Sequence, residues 1–119
     1  MPRVLIVDDS TAILEVLEML LSDEGYDVVC CADPYEAIRL AEQQPIDLLL
    51  TDIVMPDLSG TAVAERIRTI HPDLPVILMS GYHDVTRLGY PLVTKPFQLA
   101  RLSQMLRCML DQKPSQPRE

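Results

Sequence analysis

Residues 47–60 read Asp47-Leu48-Leu49-Leu50-Thr51-Asp52-Ile53-Val54-Met55-Pro56-Asp57-Leu58-Ser59-Gly60. The three leucines have no polar residue between them. A strand with one face in water alternates apolar and polar side chains, so an unbroken run reads as a strand covered on both faces, as in a parallel sheet. Val4-Leu5-Ile6-Val7 and Val76-Ile77-Leu78-Met79 have the same character. With Asp27 to Cys31 and Pro91 to Thr94 they make five short apolar runs, the other three extending over Arg3 to Val7, Asp47 to Thr51 and Pro75 to Met79.

Helical patterns lie between the runs. From Thr11 to Glu24, Ile13, Leu14, Val16, Leu17, Leu20 and Leu21 oppose Glu15, Glu18 and Ser22, with Ser10 as N-cap and Gly25 as the stop. Asp33-Pro34 reads as N-cap and first residue of a second helix ending near Gln44. A third runs from about Gly60 to Ile70, with Val63, Ile67 and Ile70 on one face. A last one, from Phe97 to about Leu110, carries Leu99, Leu102, Leu106 and Met109 at helical spacing. Strand alternating with helix predicts an α/β domain, a parallel sheet with helices on both faces and right-handed crossovers. Between Ser80 and Lys95, Gly81, Gly89 and Pro91 leave room for about two helical turns near Asp84 to Leu88. The polar, proline-rich residues 112–119 read as a disordered tail or linker after a domain spanning 1–111.

Composition narrows the function. The chain has 119 residues, enough for one modest core, with 48% hydrophobic and 24% charged residues, the balance of a globular protein. A formal net charge of −8 argues against direct nucleic-acid binding and against anionic membranes, since both reward a basic face. No apolar run is long enough to span a bilayer, and no signal peptide is legible at Met1-Pro2-Arg3, so a cytoplasmic location is expected. Cys30 and Cys31 are adjacent on a strand, pointing to opposite faces, and Cys108 lies far away, so no zinc spacing exists. His71 and His83 fall away from the strand ends and are expected to be exposed and without function.

In open parallel sheets, ligands bind beyond the carboxyl ends of the strands. Here the first strand ends in Asp8-Asp9, the third in Asp52, the fourth in Ser80 and the fifth in Lys95-Pro96. Three carboxylates in one crevice repel one another unless protonated or neutralised, and a hard divalent cation such as Mg²⁺ neutralises them. Lys95 and the Ser80 hydroxyl add a positive charge and a donor suited to phosphate. No His or Cys is placed to act as nucleophile, but a carboxylate can, forming an acyl phosphate. Each feature alone has an ordinary reading: Asp-Asp as a cap or turn, Asp52 as a turn opener, Ser80-Gly81 as a loop start, Lys95 as an exposed lysine. All four together, in that order, form a specific pattern.

With these residues in view, the chain resembles the response-regulator receiver family over about residues 3 to 110. The resemblance rests on Val7-Asp8-Asp9-Ser10, Thr51 to Gly60, Leu78-Met79-Ser80-Gly81 and Thr94-Lys95-Pro96-Phe97. It implies a flavodoxin-like three-layer α/β/α fold with strand order 2-1-3-4-5. It also implies a phosphoacceptor at Asp52, served by a histidine kinase or a histidine phosphotransfer protein. Asp8, Asp9, Asp52 and the Val54 backbone carbonyl would hold Mg²⁺, Asp8 mainly through a water. Ser80 matches the switch hydroxyl and Lys95 the phosphate-pairing lysine, with a cis Lys95-Pro96 bond. The chain would catalyse only its own phosphorylation and dephosphorylation, and nothing in it supports or excludes dimerisation.

Departures fall on one side of the pattern. Leu92 stands where the family often has an aromatic switch, and Tyr90, two residues earlier, should share a strand face with Leu92 without replacing it. The short Ser80–Lys95 interval should shrink or remove the fourth helix. The Met-Ser-Gly-Tyr wording and that short helix resemble receivers of hybrid histidine kinases, whereas the early Arg3-Val4-Leu5 also suits a free-standing regulator. Tyr82 and Val54 match positions that set phosphoryl lifetime in the family, and apolar Val54 cannot hold an attacking water by hydrogen bonding. Three other readings compete. A haloacid-dehalogenase phosphatase needs Asp-x-Asp rather than Asp8-Asp9, a flavodoxin needs a phosphate loop and flavin-stacking aromatics, and a degenerate receiver would act only as an interaction module.

Overall fold

The computed structural model describes residues 1–81, 90–95 and 98–111. The fourth helix near Asp84 to Leu88, Tyr82, His83, the Lys95–Pro96 bond, the start of the last helix at Phe97 and the 112–119 tail lie outside the described residues.

Five strands, β1 (Arg3–Val7), β2 (Asp27–Cys31), β3 (Leu48–Asp52), β4 (Val76–Ser80) and β5 (Leu92–Thr94), alternate with α1 (Thr11–Asp23), α2 (Pro34–Gln43), α3 (Gly60–Ile70) and, last, α4 (Leu99–Asp111). The strands are all parallel, in the order β2-β1-β3-β4-β5. Leu48, Leu49 and Leu50 are all fully buried, which consecutive strand residues can be only where both faces are covered. On one face Leu5, Val7, Leu49 and Leu78 pack with Ala37 and Ala41 of α2 and with Val63, Ala64 and Ile67 of α3. On the other, Val4, Ile6, Leu50, Ile77 and Met79 meet Leu14, Leu17 and Leu21 of α1 and Leu102 and Leu106 of α4. Each fully buried leucine contributes about 1.5–3 kcal/mol, so the three-layer arrangement is fixed mainly by these two cores. Cys31 joins the first and Cys30 the second, on opposite faces; burial pushes both thiols up to about 11, which leaves them protonated and poorly nucleophilic.

The caps follow the sequence closely. Ser10 Oγ accepts from the Ile13 N–H at 3.4 Å, Asp33 Oδ1 from Tyr35 N–H at 3.0 Å ahead of Pro34, and Ser59 Oγ from Ala62 N–H at 3.2 Å. Gly25 takes the left-handed φ of 99° that ends α1's connection. Val16 is a correction: it is 48% exposed, because the buried stripe is Leu14, Leu17 and Leu21 at i, i+3, i+7 and Val16 sits about 100° off it. Ile70, the last residue of α3, is likewise exposed rather than on the buried face. His71 also departs from expectation. It is half-buried, caps α3, and its Nε2 donates to the Ala41 carbonyl at 2.8 Å, tying α3 to the end of α2.

The amino ends of the strands are held by polar ties. The Arg3 guanidinium bonds Asp27 Oδ2 at 2.8 and 2.9 Å and Gln44 Oε1 at 2.9 Å, and the Arg3 N–H donates to Asp47 Oδ2 at 2.7 Å. Buried Ser103 of α4 donates to Glu24 Oε1 at 2.5 Å and accepts from Arg107 at 2.9 Å, which anchors α4 to the end of α1.

Candidate functional site

The carboxyl ends of β1, β3, β4 and β5 converge, as the parallel topology requires. Asp8 follows β1, its N–H donating to Cys31 O at 3.2 Å. Its Oδ1 accepts from the Ser10 N–H at 2.9 Å, which turns the chain into α1. Asp52 closes β3 opposite Met79 of β4, and Ser80 closes β4 opposite Thr94 of β5. The Lys95 N–H donates to the Ser80 carbonyl at 2.7 Å, so the lysine begins its excursion from a fixed backbone.

The side chains meet in the crevice. Asp8 and Asp52 are buried and Asp9 is exposed, and one carboxylate oxygen from each lies within 4.8 Å of the others. Lys95 Nζ reaches 2.9 Å from Asp8 Oδ2 and 3.3 Å from Asp52 Oδ1. Burial raises the Asp52 pKa above the usual carboxylate value and the charge of Asp8 raises it further; the Lys95 ammonium opposes both but does not outweigh them. For Lys95, burial disfavours the charge, yet the hydrogen bond to Asp8 and the two carboxylates prevail and its pKa is raised. Among the described residues the site is therefore short of positive charge: one ammonium faces three acids. Three oxygens this close, one set open to solvent through Asp9, fit a hard divalent cation that keeps part of its water shell.

Ser80 lies at the crevice end of β4 and is almost fully buried. Val54 sits two residues past Asp52 in the loop after β3, its side chain 59% exposed. Asp8, Asp9, Asp52, Val54, Ser80 and Lys95, named for the site from the sequence, thus all fall at this end of the sheet. Tyr90 and Leu92 pack against the same core face, as their spacing requires.

Two features were not read from the sequence. One is the direct Lys95–Asp8 ion pair, which no linear spacing encodes across 87 positions. The other is Gly60. Its N–H donates to Ile53 O at 2.8 Å, and a Cβ placed on it would collide with the Asp52 carbonyl oxygen. The signal was available: glycine is a poor opener for a helix, so its presence directly after the Ser59 cap points to a close approach.

Comparison with known proteins agrees with this geometry. Residues 4–107 match the family model described as the response regulator receiver domain. The chain belongs to that family. This receiver domain is 34% identical over 114 residues to the probable transcriptional regulatory protein TcrX of Mycobacterium tuberculosis, covering 90% of this chain and 49% of that protein. The chain thus spans about half the length of the curated relatives it matches. It superposes on a CheY-like receiver domain protein from Methanospirillum hungatei with TM-score 0.88 and 31% identity, covering 95% of this chain and 96% of the other. It also superposes on the receiver domain of the sensor histidine kinase PA1611 of Pseudomonas aeruginosa, with TM-score 0.85 and 28% identity, covering 92% and 98%; that structure has a magnesium ion coordinated in its active-site cleft. This receiver domain is a module of two-component signal transduction with the flavodoxin-like strand order. No helix among the described residues is long and apolar enough to cross a membrane.

Proposed function

We propose that this receiver domain accepts a phosphoryl group on a carboxylate oxygen of Asp52 from a phosphohistidine on a histidine kinase or histidine phosphotransfer protein. The observation that carries the reading is the placement of Asp52 between two further carboxylates and the Lys95 ammonium at 3.3 Å. In the forward step an Asp52 oxygen attacks phosphorus, the P–N bond to the donor imidazole breaks, and the imidazole nitrogen leaves with its electron pair.

Lys95 would pair with the incoming phosphoryl oxygens, and the Ser80 hydroxyl would donate to them. Asp8, Asp9, Asp52 and the Val54 backbone carbonyl would hold Mg²⁺. When bound, the cation supplies the positive charge that the crevice lacks and that the phosphoryl oxygens require. The Asp8-Asp9 pair lacks the spaced second acid of an aspartyl-phosphate phosphatase, so no turnover of small phosphate esters is expected. The acidic chain is not suited to direct contact with nucleic acid. A cytoplasmic setting is the one in which an Mg²⁺-dependent phosphohistidine donor would meet it.

The test is the intact mass after incubation with acetyl phosphate and Mg²⁺. The expected result is a gain of one phosphoryl group, absent with EDTA and absent in Asp52→Asn. A gain that persists in Asp52→Asn would overturn the assignment of the acceptor. No gain, together with no stable beryllofluoride complex, would leave an interaction module instead.

A further inference from the structure

Arg68, two turns into α3, lies over the ring of Tyr90 with its Cζ 5.6 Å from the ring centroid. The Arg68 Nε is covered and has no hydrogen-bond partner among the described residues. A guanidinium held with a buried, unpaired N–H gives up hydrogen-bonding energy, and here the face of the ring is what it gains in return. Tyr90 lies two residues before β5, the edge strand of the sheet, which is held to β4 by flanking backbone hydrogen bonds (Leu78 N–H to Pro91 O, Lys95 N–H to Ser80 O) and by the register of Leu92, Val93 and Thr94. The next residue is Lys95.

The other end of α3 is equally specific. Gly60 sits on the peptide of Asp52 so closely that no side chain fits between them. The chain of contacts therefore closes on itself. It runs from Asp52 to Gly60, down α3 to Arg68, across to Tyr90, up β5 to Lys95, and back to Asp52 through the ion pair. The two arms are of similar length, about 12 Å for eight helical residues and about 16 Å for five extended ones.

We propose that Arg68 and Tyr90 form a positioning joint that ties the edge strand to α3 and so fixes Lys95 relative to Asp52. This rests on the phosphoacceptor reading for its consequence, though not for its structural content. Neither residue touches the reacting atoms; both act through the lysine.

The test uses the whole chain and the variants Arg68→Met, which keeps the aliphatic stem, Tyr90→Leu, and Tyr90→Phe, which keeps the ring. Hydrogen exchange at the Lys95 amide reads the joint directly and needs no phosphorylation. It should quicken about two- to five-fold in Arg68→Met and Tyr90→Leu and stay at the wild-type rate in Tyr90→Phe. Phosphoryl uptake from acetyl phosphate should slow in the same two variants. In a Lys95→Met background, Tyr90→Leu should produce no further slowing, which a general loosening of the fold would not respect. Unchanged exchange in both Arg68→Met and Tyr90→Leu overturns the joint, and so does an undiminished effect of Tyr90→Leu when Lys95 is already methionine. If wild type takes up no phosphoryl group, the acceptor reading falls and the exchange measurement alone decides the joint.

Discussion

Lys95 Nζ and Asp8 Oδ2 lie 2.9 Å apart, with the Asp8 side chain 1% exposed, so the lysine, which follows the edge strand β5, is held by the acid beyond the end of β1 as well as by Asp52. Removing the ammonium has two opposite consequences. Lys95→Met should slow phosphoryl uptake on the order of 10²-fold, the usual effect of losing one preorganised charge on a transferring group. It should also tighten Mg²⁺ binding several-fold, because the cation no longer competes with the lysine for Asp8 and Asp52. Uptake followed by intact mass and Mg²⁺ affinity followed by calorimetry separate the two. A parallel fall in both would show that the lysine serves only to hold the crevice together.

Asp52 gives a prediction in pH. Its pKa is raised by burial and by Asp8, so the folded chain binds this proton more tightly than the unfolded chain does. The stabilisation from that protonation is complete below the unfolded carboxylate range and is lost as pH rises through the folded value. Without metal, Asp52→Asn should therefore unfold a few degrees above wild type at neutral pH. The difference should vanish at about pH 3, where the wild-type carboxyl is itself neutral. Thermal unfolding across that range, with EDTA present, checks the sign.

Gly60→Ala places a methyl group on the Asp52 carbonyl oxygen. The backbone has to give way on one side or the other, at a cost of about 1–3 kcal/mol. The acceptor strand is the side that matters for chemistry, so uptake should fall more than the loss of stability accounts for. Denaturant unfolding and phosphorylation kinetics on the same preparation test this; a stable variant with wild-type kinetics would contradict it.

Val54 is exposed beside the crevice and has no polar group with which to hold water. Val54→Asn supplies one. The lifetime of the acyl phosphate should shorten several-fold, read as the decay of the phosphorylated mass after removal of the donor. An unchanged lifetime would mean that water approaches Asp52 from another side.

Much of this was legible in the sequence because the determining signals are local. Unalternating runs such as Leu48-Leu49-Leu50 state that a strand is covered twice, and Ser10, Asp33-Pro34 and Ser59 state where helices begin. The strand ends then name their own chemistry, since a parallel sheet brings every carboxyl end to one edge. Boundaries shifted by a residue at Asp52 and Ser80, which belong to the strands because their backbones still pair. What was not legible depends on contacts across the fold. Val16 is apolar yet exposed, and apolarity in a helix does not by itself tell which side of a stripe a residue falls on. Lys95 choosing Asp8, His71 reaching the end of α2, and Arg68 finding Tyr90 all join residues from separate elements, and no periodicity connects them.

The polar ties at the amino ends of the strands, Arg3 to Asp27 and Gln44 and Ser103 to Glu24, lie at the opposite pole from the crowded acids. The molecule thus has a settled pole and a frustrated one. Substitutions at the settled pole alter how long the domain survives heat or denaturant, with little bearing on which ions it prefers. Substitutions at the frustrated pole can relieve repulsion and harden the protein while silencing it. A screen for thermal robustness alone would therefore enrich for inactive variants in the crevice, and a screen for signalling would tolerate erosion of Arg3 until the fold itself gave way.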